Sequence, residues 1–294
     1  MFKTWHIRTK HGVIAAVCAA ALCLSAALFS TQAAGAEGPA QEGVEVPIIM
    51  YHGILKDPKR AGPYVITPDT FEGDLRYLQE HGYTTVVMQD LIDYVDEGRP
   101  LPKKPILLTF DDGFYNNYVY AFPLLKQYHA RMVLSPVGRY TDEYSASGEE
   151  NANYSYVTWD RIREMMQSGL VEIQNHSYDM HANDTAHRKG AKKTAGETLD
   201  QYRKALTDDV TKMQQRMQEM TGYQPTTFTY PLGAVSRESL PILRELGFRA
   251  TLVCESRTNV ITRDPDCLYS LGRYLRPSGP DAARYFTKTV KLPA

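Results

Sequence analysis

Short apolar runs alternate with helix-length amphipathic stretches along most of this chain. Val46-Pro47-Ile48-Ile49-Met50 is short, continuous and apolar, which predicts a strand. Thr67-Pro68-Asp69 supplies a helix start with proline in the first turn. Phe71, Leu75 and Leu78 then recur at helical spacing until His81-Gly82 closes the helix. The same reading predicts strands over 83–87, 106–110, 130–134, 170–174, 226–230 and 248–252. Helices are predicted over 91–95, 120–128, 158–168, 197–220 and 236–246, the longest closed by Thr221-Gly222. The polar stretch 141–153 reads as a surface loop. No internal repeat and no second domain stand out. This alternation predicts a parallel α/β sheet or barrel, in which chemistry gathers at the carboxyl ends of the strands.

The N-terminus has a different pattern. Lys3, Arg8 and Lys10 make a basic start, Gly12 to Ser30 is apolar and uncharged, and Ala34-Gly35-Ala36 supplies small residues. This is the layout of a secretory signal peptide over residues 1–36, with removal favoured by the small-residue site. The alternative is an uncleaved N-terminal membrane anchor through residues 12–30, since a helix of that length spans about 28 Å. Cys23 has no small residue just before it, so no lipoprotein site is read. Residues 37–45 read as a Gly- and Glu-rich tether, and 46–294 as the folded domain, placed outside the cytoplasm. Cys254 and Cys267 remain in that domain; export permits a disulfide, but two free thiols fit equally well. No Cys-x-x-Cys is present to suggest a structural zinc finger.

Composition adds little beyond this. The chain is 43% hydrophobic and 23% charged with a formal net charge of −1, so nothing in its overall charge points to nucleic acid. Tyrosine is abundant, 20 against 2 Trp and 9 Phe, which suits a polar polymer such as a glycan and equally suits a core.

The candidate chemistry begins at Thr109-Phe110-Asp111-Asp112-Gly113, where two adjacent carboxylates end an apolar strand. Two like charges there are costly unless a cation holds them. Further on, His176 follows a second apolar strand and His181 stands five residues later. Five residues rotate the second side chain by about 140° on a helix, so the pair converges only in a loop, which Ser177 and Asp179 permit. One carboxylate and two imidazoles form the open ligand set of a catalytic zinc site, and also suit a non-haem Fe(II) triad. One aspartate would bind the metal while the other takes a proton. A third strand runs into His52, a candidate general acid or a structural histidine. A fourth ends in Tyr230-Pro231-Leu232-Gly233, a turn whose backbone N–H groups can face an oxyanion.

Together these sites resemble the polysaccharide deacetylases with a NodB homology domain, carbohydrate esterase family 4. The resemblance covers roughly 46–274. Thr109 to Gly113 matches the first motif of that family, which implies Asp111 as general base and Asp112 as metal ligand. His176-Ser177 and His181 match the second motif with the longer step of the branch that deacetylates poly-N-acetylglucosamine. Motifs in that branch are circularly permuted, which implies His52 as the acid. In the third motif the usual arginine is replaced by Thr229 and the usual tyrosine by Leu232. The Leu232 backbone N–H remains the implied oxyanion donor, with Tyr230, Pro231 and Gly233 as implied substrate contacts. Arg273, in Leu271-Gly272-Arg273-Tyr274, is the candidate to orient Asp111 and also stands among the implied substrate contacts.

The expectation is therefore an α/β protein with a distorted (β/α)7-type barrel. It would be a monomeric, extracytoplasmic hydrolase removing acetyl groups from an N-acetylglucosamine-type polysaccharide. A divalent metal is implied, zinc first, with Co2+, Ni2+ or Fe2+ as alternatives. The missing third-motif arginine motivates one other reading, a catalytically impaired glycan-binding module on the same fold.

Overall fold

The computed structural model describes residues 43–182 and 188–293. The expected leader and the first part of the expected tether, residues 37–42, lie outside the described residues. In chain order the strands are β1 (Val44–Val46), β2 (Ile48–Tyr51), β3 (Gly53–Ile54), β4 (Val65–Ile66), β5 (Thr84–Val86) and β6 (Pro105–Asp112). They continue with β7 (Met132–Pro136), β8 (Val171–Ile173), β9 (Thr227–Thr229), β10 (Ala250–Leu252), β11 (Asn259–Ile261) and β12 (Tyr274–Leu275).

Seven of these strands form a parallel circuit. β2 pairs β6, β6 pairs β7, and β7 pairs β8. A single bridge, Asn175 to Phe228, carries the circuit from the end of β8 to β9, and β9 pairs β10. Another bridge, Leu252 to Leu271, leads to β12, which pairs back onto β2. The thin joins at β8–β9 and β10–β12 are what distort the (β/α)7-type barrel. β5 adds to the early part of β6.

Both faces of the central strands are buried, as parallel sheets covered by helices require. Ile49, Tyr51, Leu108 and Phe110 pack into one apolar cluster, while Ile48 and Leu107 between them pack into another. That two-residue alternation explains why β2 and β6 read as continuous apolar runs rather than as alternating ones.

Four expectations change. The apolar run at 46–50 is split at Pro47 into β1 and β2, and β1 pairs antiparallel with β11. Glu45, read as the end of a tether, therefore lies in a strand, with Val44 and Val46 turned toward an apolar cluster. The third predicted strand continues through both aspartates. Within 141–153, where a loop is expected, Gly138–Ser147 is a helix closed by Gly148 in the left-handed region. Few apolar residues mark that helix. It is held by polar contacts, Asp142 accepting from Trp159 Nε1 at 2.7 Å and from Arg216 Nη2 at 2.8 Å. Cys254 and Cys267 are both free thiols. Among the described residues no helix is long and apolar enough to cross a membrane.

A buried ion pair ties the chain just past β12 to the helix Pro68–Glu80. Arg276 donates to Asp74 from Nε at 2.8 Å and from Nη2 at 2.9 Å, and Tyr51 Oη donates to the same carboxylate at 3.1 Å. Both charged side chains are fully buried. Asp74→Ala would leave the Arg276 charge without its partner. Urea denaturation is expected to show a loss of about 3–5 kcal/mol. A loss below about 1 kcal/mol, the range of exposed pairs, would refute this role for the pair.

Candidate active site

The site is assembled at the carboxyl ends of β2, β6, β8 and β9. β6 delivers Asp111 and Asp112, both buried despite their charge. The chain then turns sharply, with Asp112 at φ 71° and Gly113 at φ 79°. Only glycine fits at 113, because a Cβ there would lie 2.7 Å from the Cβ of Pro136.

The two carboxylates meet different partners. Arg273 donates to Asp111 through both arms of its guanidinium, Nη1 to Oδ1 at 2.7 Å and Nη2 to Oδ2 at 2.8 Å. Arg273 is itself anchored, donating from Nε to the Val253 carbonyl at 3.0 Å and from Nη1 to Thr109 Oγ1 at 3.2 Å. Burial alone would raise the Asp111 pKa, but the charge and hydrogen bonds of Arg273 outweigh it and hold the carboxyl below its usual range. Asp111 therefore stays ionised while buried, and its orientation is fixed by a two-point contact.

Asp112 faces the histidines. Its Oδ1 is 3.5 Å from His176 Nε2 and 3.0 Å from His181 Nε2. The three ligand atoms lie within 4.8 Å of one another. His176 Nδ1 is 2.8 Å from the Thr229 carbonyl. A carbonyl only accepts, so Nδ1 carries the hydrogen and the Nε2 lone pair is left pointing at Asp112. Burial pushes the Asp112 carboxyl up, yet the neighbouring His176 and His181 imidazoles bring it well below the ordinary value. Burial lowers the His181 pKa, and Asp112 more than reverses that. Among the described residues Asp112 Oδ1 is buried with no hydrogen-bond partner. An orphaned carboxylate oxygen beside two imidazole nitrogens fits a divalent cation, and Asp112, His176 and His181 can hold one.

The five-residue step between the histidines works because the intervening loop is clamped. Ser177 is left-handed at φ 69°, and its N–H donates to Asn175 Oδ1 at 2.7 Å. The Tyr178 and Asp179 N–H groups donate to Oδ1 and Oδ2 of Asp209 at 2.7 and 2.8 Å. Met180 N–H donates to Ser177 Oγ at 3.1 Å. Asn175 is fixed in turn by Nδ2 bonds to the Val210 carbonyl and to Gln214 Oε1, at 3.3 and 3.2 Å. Asp209, Val210 and Gln214 all lie on the long helix Leu199–Thr221. These clamp residues escape a sequence reading. Asn175 before a turn is a weak signal, and nothing around Asp209 marks it among the other acids of its helix.

His52 sits at the end of β2 with a buried Nδ1 that has no hydrogen-bond partner among the described residues. Burial lowers its pKa, against the raising effect of Asp111 and Asp112. Its carbonyl accepts from Asn117 Nδ2 at 2.7 Å, which fixes the local chain. After β9, Leu232 adopts φ 58° in the turn Pro231–Gly233. Among the described residues no acceptor takes the Leu232 N–H, while its side chain is exposed. Of the implied substrate contacts, Tyr230 and Arg273 are 1% and 0% exposed. The Tyr230 hydroxyl is 2.6 Å from Ser239 Oγ, and burial pushes its pKa up to about 12. Neither side chain is presented to a ligand, so both are corrected to supporting positions. Pro231 is buried as well, and Gly233 lies against Cys254, where a Cβ would come within 2.8 Å.

A barrel with a carboxylate and two imidazoles gathered at the strand ends, beside an arginine-held aspartate, can hold a divalent cation next to an ionised carboxylate. The chain belongs to the polysaccharide deacetylase family, whose profile matches residues 98–251. It is similar to the poly-beta-1,6-N-acetyl-D-glucosamine N-deacetylase of Escherichia coli K12, 28% identical over 197 residues, covering 61% of this chain and 29% of that protein. The chain thus spans only about three tenths of the length of that relative, whose coverage is 29%. The Staphylococcus epidermidis protein of the same name is 22% identical, with 75% of this chain and 71% of that one covered. Among solved structures, a de-N-acetylase from Aggregatibacter actinomycetemcomitans has a TM-score of 0.70 at 26% identity, covering 83% of this chain and 100% of that one. IcaB from Ammonifex degensii has a TM-score of 0.67 at 26% identity, covering 85% and 97%.

If Asp209 holds the histidine loop, Asp209→Ala should weaken binding of added Zn2+ or Co2+ by about 10–100-fold, the usual cost of losing an outer-shell partner. Equilibrium dialysis on protein with an unchanged circular dichroism spectrum measures this. Unaltered metal affinity would remove Asp209 from the site.

Proposed function

We propose that this chain is a metal-dependent hydrolase that removes acetyl groups from a polysaccharide outside the cytoplasm, an N-acetylglucosamine-type polymer first. The observation that carries this reading is the Asp112, His176 and His181 cluster standing beside an ionised Asp111 gripped by Arg273. The names of the relatives from Escherichia coli and Staphylococcus epidermidis support the acyl group and the sugar. The apolar leader over residues 12–30 supports action beyond the cytoplasmic membrane, whether it is removed or kept as an anchor.

A divalent cation held by Asp112, His176 and His181, Zn2+ being the choice for such a ligand set, would polarise the acetyl carbonyl and ease deprotonation of water. Every other part is supplied by the chain. Asp111 accepts the proton of the attacking water at its carboxylate, and Arg273 keeps that carboxylate charged and aimed. The Leu232 N–H donates to the acetyl oxygen as negative charge builds on it. His52 gives a proton to the amide nitrogen as the C–N bond breaks, so the products are acetate and a free amine. The depressed pKa of His52 makes it a readier proton donor to a leaving amine once charged.

The glycan-binding alternative drew on the absence of the usual third-motif arginine. The Arg273 contact with Asp111 weakens that motive, since a guanidinium reaches the same carboxylate from the chain just before β12.

Acetate release from a β-linked N-acetylglucosamine oligomer, with Zn2+ or Co2+ restored, tests the proposal. Asp111→Asn is expected to lower kcat by about 10²–10⁴-fold. Arg273→Lys keeps the charge but loses the two-point grip, and a loss on the order of a hundredfold is expected. Full activity in Asp111→Asn would overturn the assignment of the base, and no acetate release from any acetylated glycan would overturn the function.

A further inference from the structure

We infer that Tyr64 is a sugar-contact residue, forming the platform against which the pyranose ring bearing the departing amine is held. The inference rests on the deacetylase reading above for the identity of the sugar. Tyr64 is 58% exposed, yet its ring meets the His52 ring edge-on, with centroids 5.0 Å apart at 72°. Its hydroxyl makes no hydrogen bond among the described residues.

The backbone beneath that ring is tied down by hydrogen bonds. Gly53 N–H donates to the Tyr64 carbonyl at 3.0 Å, and Gly62 N–H donates to the Val65 carbonyl at 2.8 Å. Ser278 N–H donates to the Gly62 carbonyl at 3.0 Å, which ties the turn to the chain just past β12. The register of β3 on β4 pairs Gly53 with Val65, so the residue after His52 is locked beside the residue after Tyr64. The two side chains are therefore held together by strand pairing and do not depend on packing of the exposed ring.

A single exposed aromatic is ordinary on a protein surface and means nothing by itself. This one differs in what it touches. A ring so exposed adds little to the core, so the fold does not require it. It stands against the side chain assigned to protonate the leaving nitrogen. A sugar whose amine faces His52 must lie beside Tyr64. The C–H face of a pyranose is apolar and complements the electron-rich face of an aromatic ring. The tyrosine hydroxyl can exchange hydrogen bonds with the sugar hydroxyls, and the short side chain loses little conformational freedom on binding. Tyr64 would thus grip the sugar and leave the acetyl group to the rest of the site.

This separates binding of the glycan from handling of the acetyl group, and the experiment reads both. Wild type, Tyr64→Ala and Tyr64→Phe are compared on a β-1,6-linked N-acetylglucosamine oligomer and on 4-nitrophenyl acetate, an ester with no sugar and a leaving group that needs no proton. Tyr64→Ala should raise KM for the oligomer by about tenfold. Its kcat/KM on the aryl acetate should stay within about twofold, and Tyr64→Phe should retain most oligomer binding. Line broadening of a glucosamine oligomer in NMR, read without turnover, should weaken in Tyr64→Ala. An unchanged KM and unchanged oligomer binding in Tyr64→Ala would overturn the inference. So would an equal loss on the aryl acetate, which would show that the substitution disturbs the acetyl-handling part of the site, and so would a fall in kcat on the oligomer at unchanged KM, which would assign Tyr64 to positioning His52 instead. If wild type releases no acetate while oligomer binding still depends on Tyr64, the deacetylase reading fails and the sugar contact stands.

Discussion

The two-point contact between Arg273 and Asp111 is the constraint on which the site depends. A carboxylate buried to this degree would ordinarily take up a proton and lose its use as a base. The guanidinium keeps it charged, and does so from the segment that closes the barrel. Leu271 bridges β10, Tyr274 and Leu275 pair β2, and Arg273 and Arg276 project from the same short stretch to two buried aspartates. Closure of the barrel and ionisation of the candidate base are therefore one event. A chain that failed to seat this segment would open the sheet and leave Asp111 and Asp74 without their counter-charges. Since stranding a buried charge costs several kcal/mol, the native arrangement is selected sharply over partly closed ones.

Much of this was legible in the sequence, for identifiable reasons. The strand at 106–110 is apolar on both faces and that at 170–174 on one, and turn formers follow each, so their ends, and the acids and histidines placed there, could be located. The pairing of Arg273 with Asp111 was within reach as a candidate, because the family pattern lacked its arginine and one stood close to the final strand. What could not be read is the polar scaffolding. The helix Gly138–Ser147 carries hardly any apolar stripe and is fastened by Asp142 to Trp159 and Arg216, contacts made between distant parts of the chain. The clamp on the histidine loop is of the same kind, since Asn175 and Asp209 meet its backbone only after the helix Leu199–Thr221 has packed. Side-chain to backbone bonds over such separations leave no period in the sequence.

Two implied substrate contacts proved buried for a related reason. Tyr230 and Arg273 belong to motifs that mark the site, and a motif says that a residue matters without saying which way it faces. Tyr230 ends a strand whose neighbours are buried on both sides, so its ring goes into the apolar cluster with Phe228 and Phe248. The position that reaches solvent is the next turn, where Leu232 carries the strain that turns its backbone N–H free of the strand.

That strain recurs. Asp112, Ser177 and Leu232 are non-glycine residues with positive φ, and they follow or end β6, β8 and β9. Each such conformation costs on the order of 1–3 kcal/mol and persists only where its surroundings hold it. Here the holders can be named. The Asp112 carbonyl accepts from Val137 N–H at 3.3 Å, Ser177 N–H is taken by Asn175, and the turn at Leu232 is bracketed by the Gly233 and Ala234 N–H bonds to the Tyr230 and Pro231 carbonyls. A relaxed chain would let each strand run on into its helix with the polar groups splayed along the barrel rim. Bending it left-handed at the ends of β6, β8 and β9 turns one carboxylate toward two imidazoles and leaves one peptide N–H without an acceptor among the described residues. The local cost at these three residues is what converts a common barrel into a site with a particular chemistry.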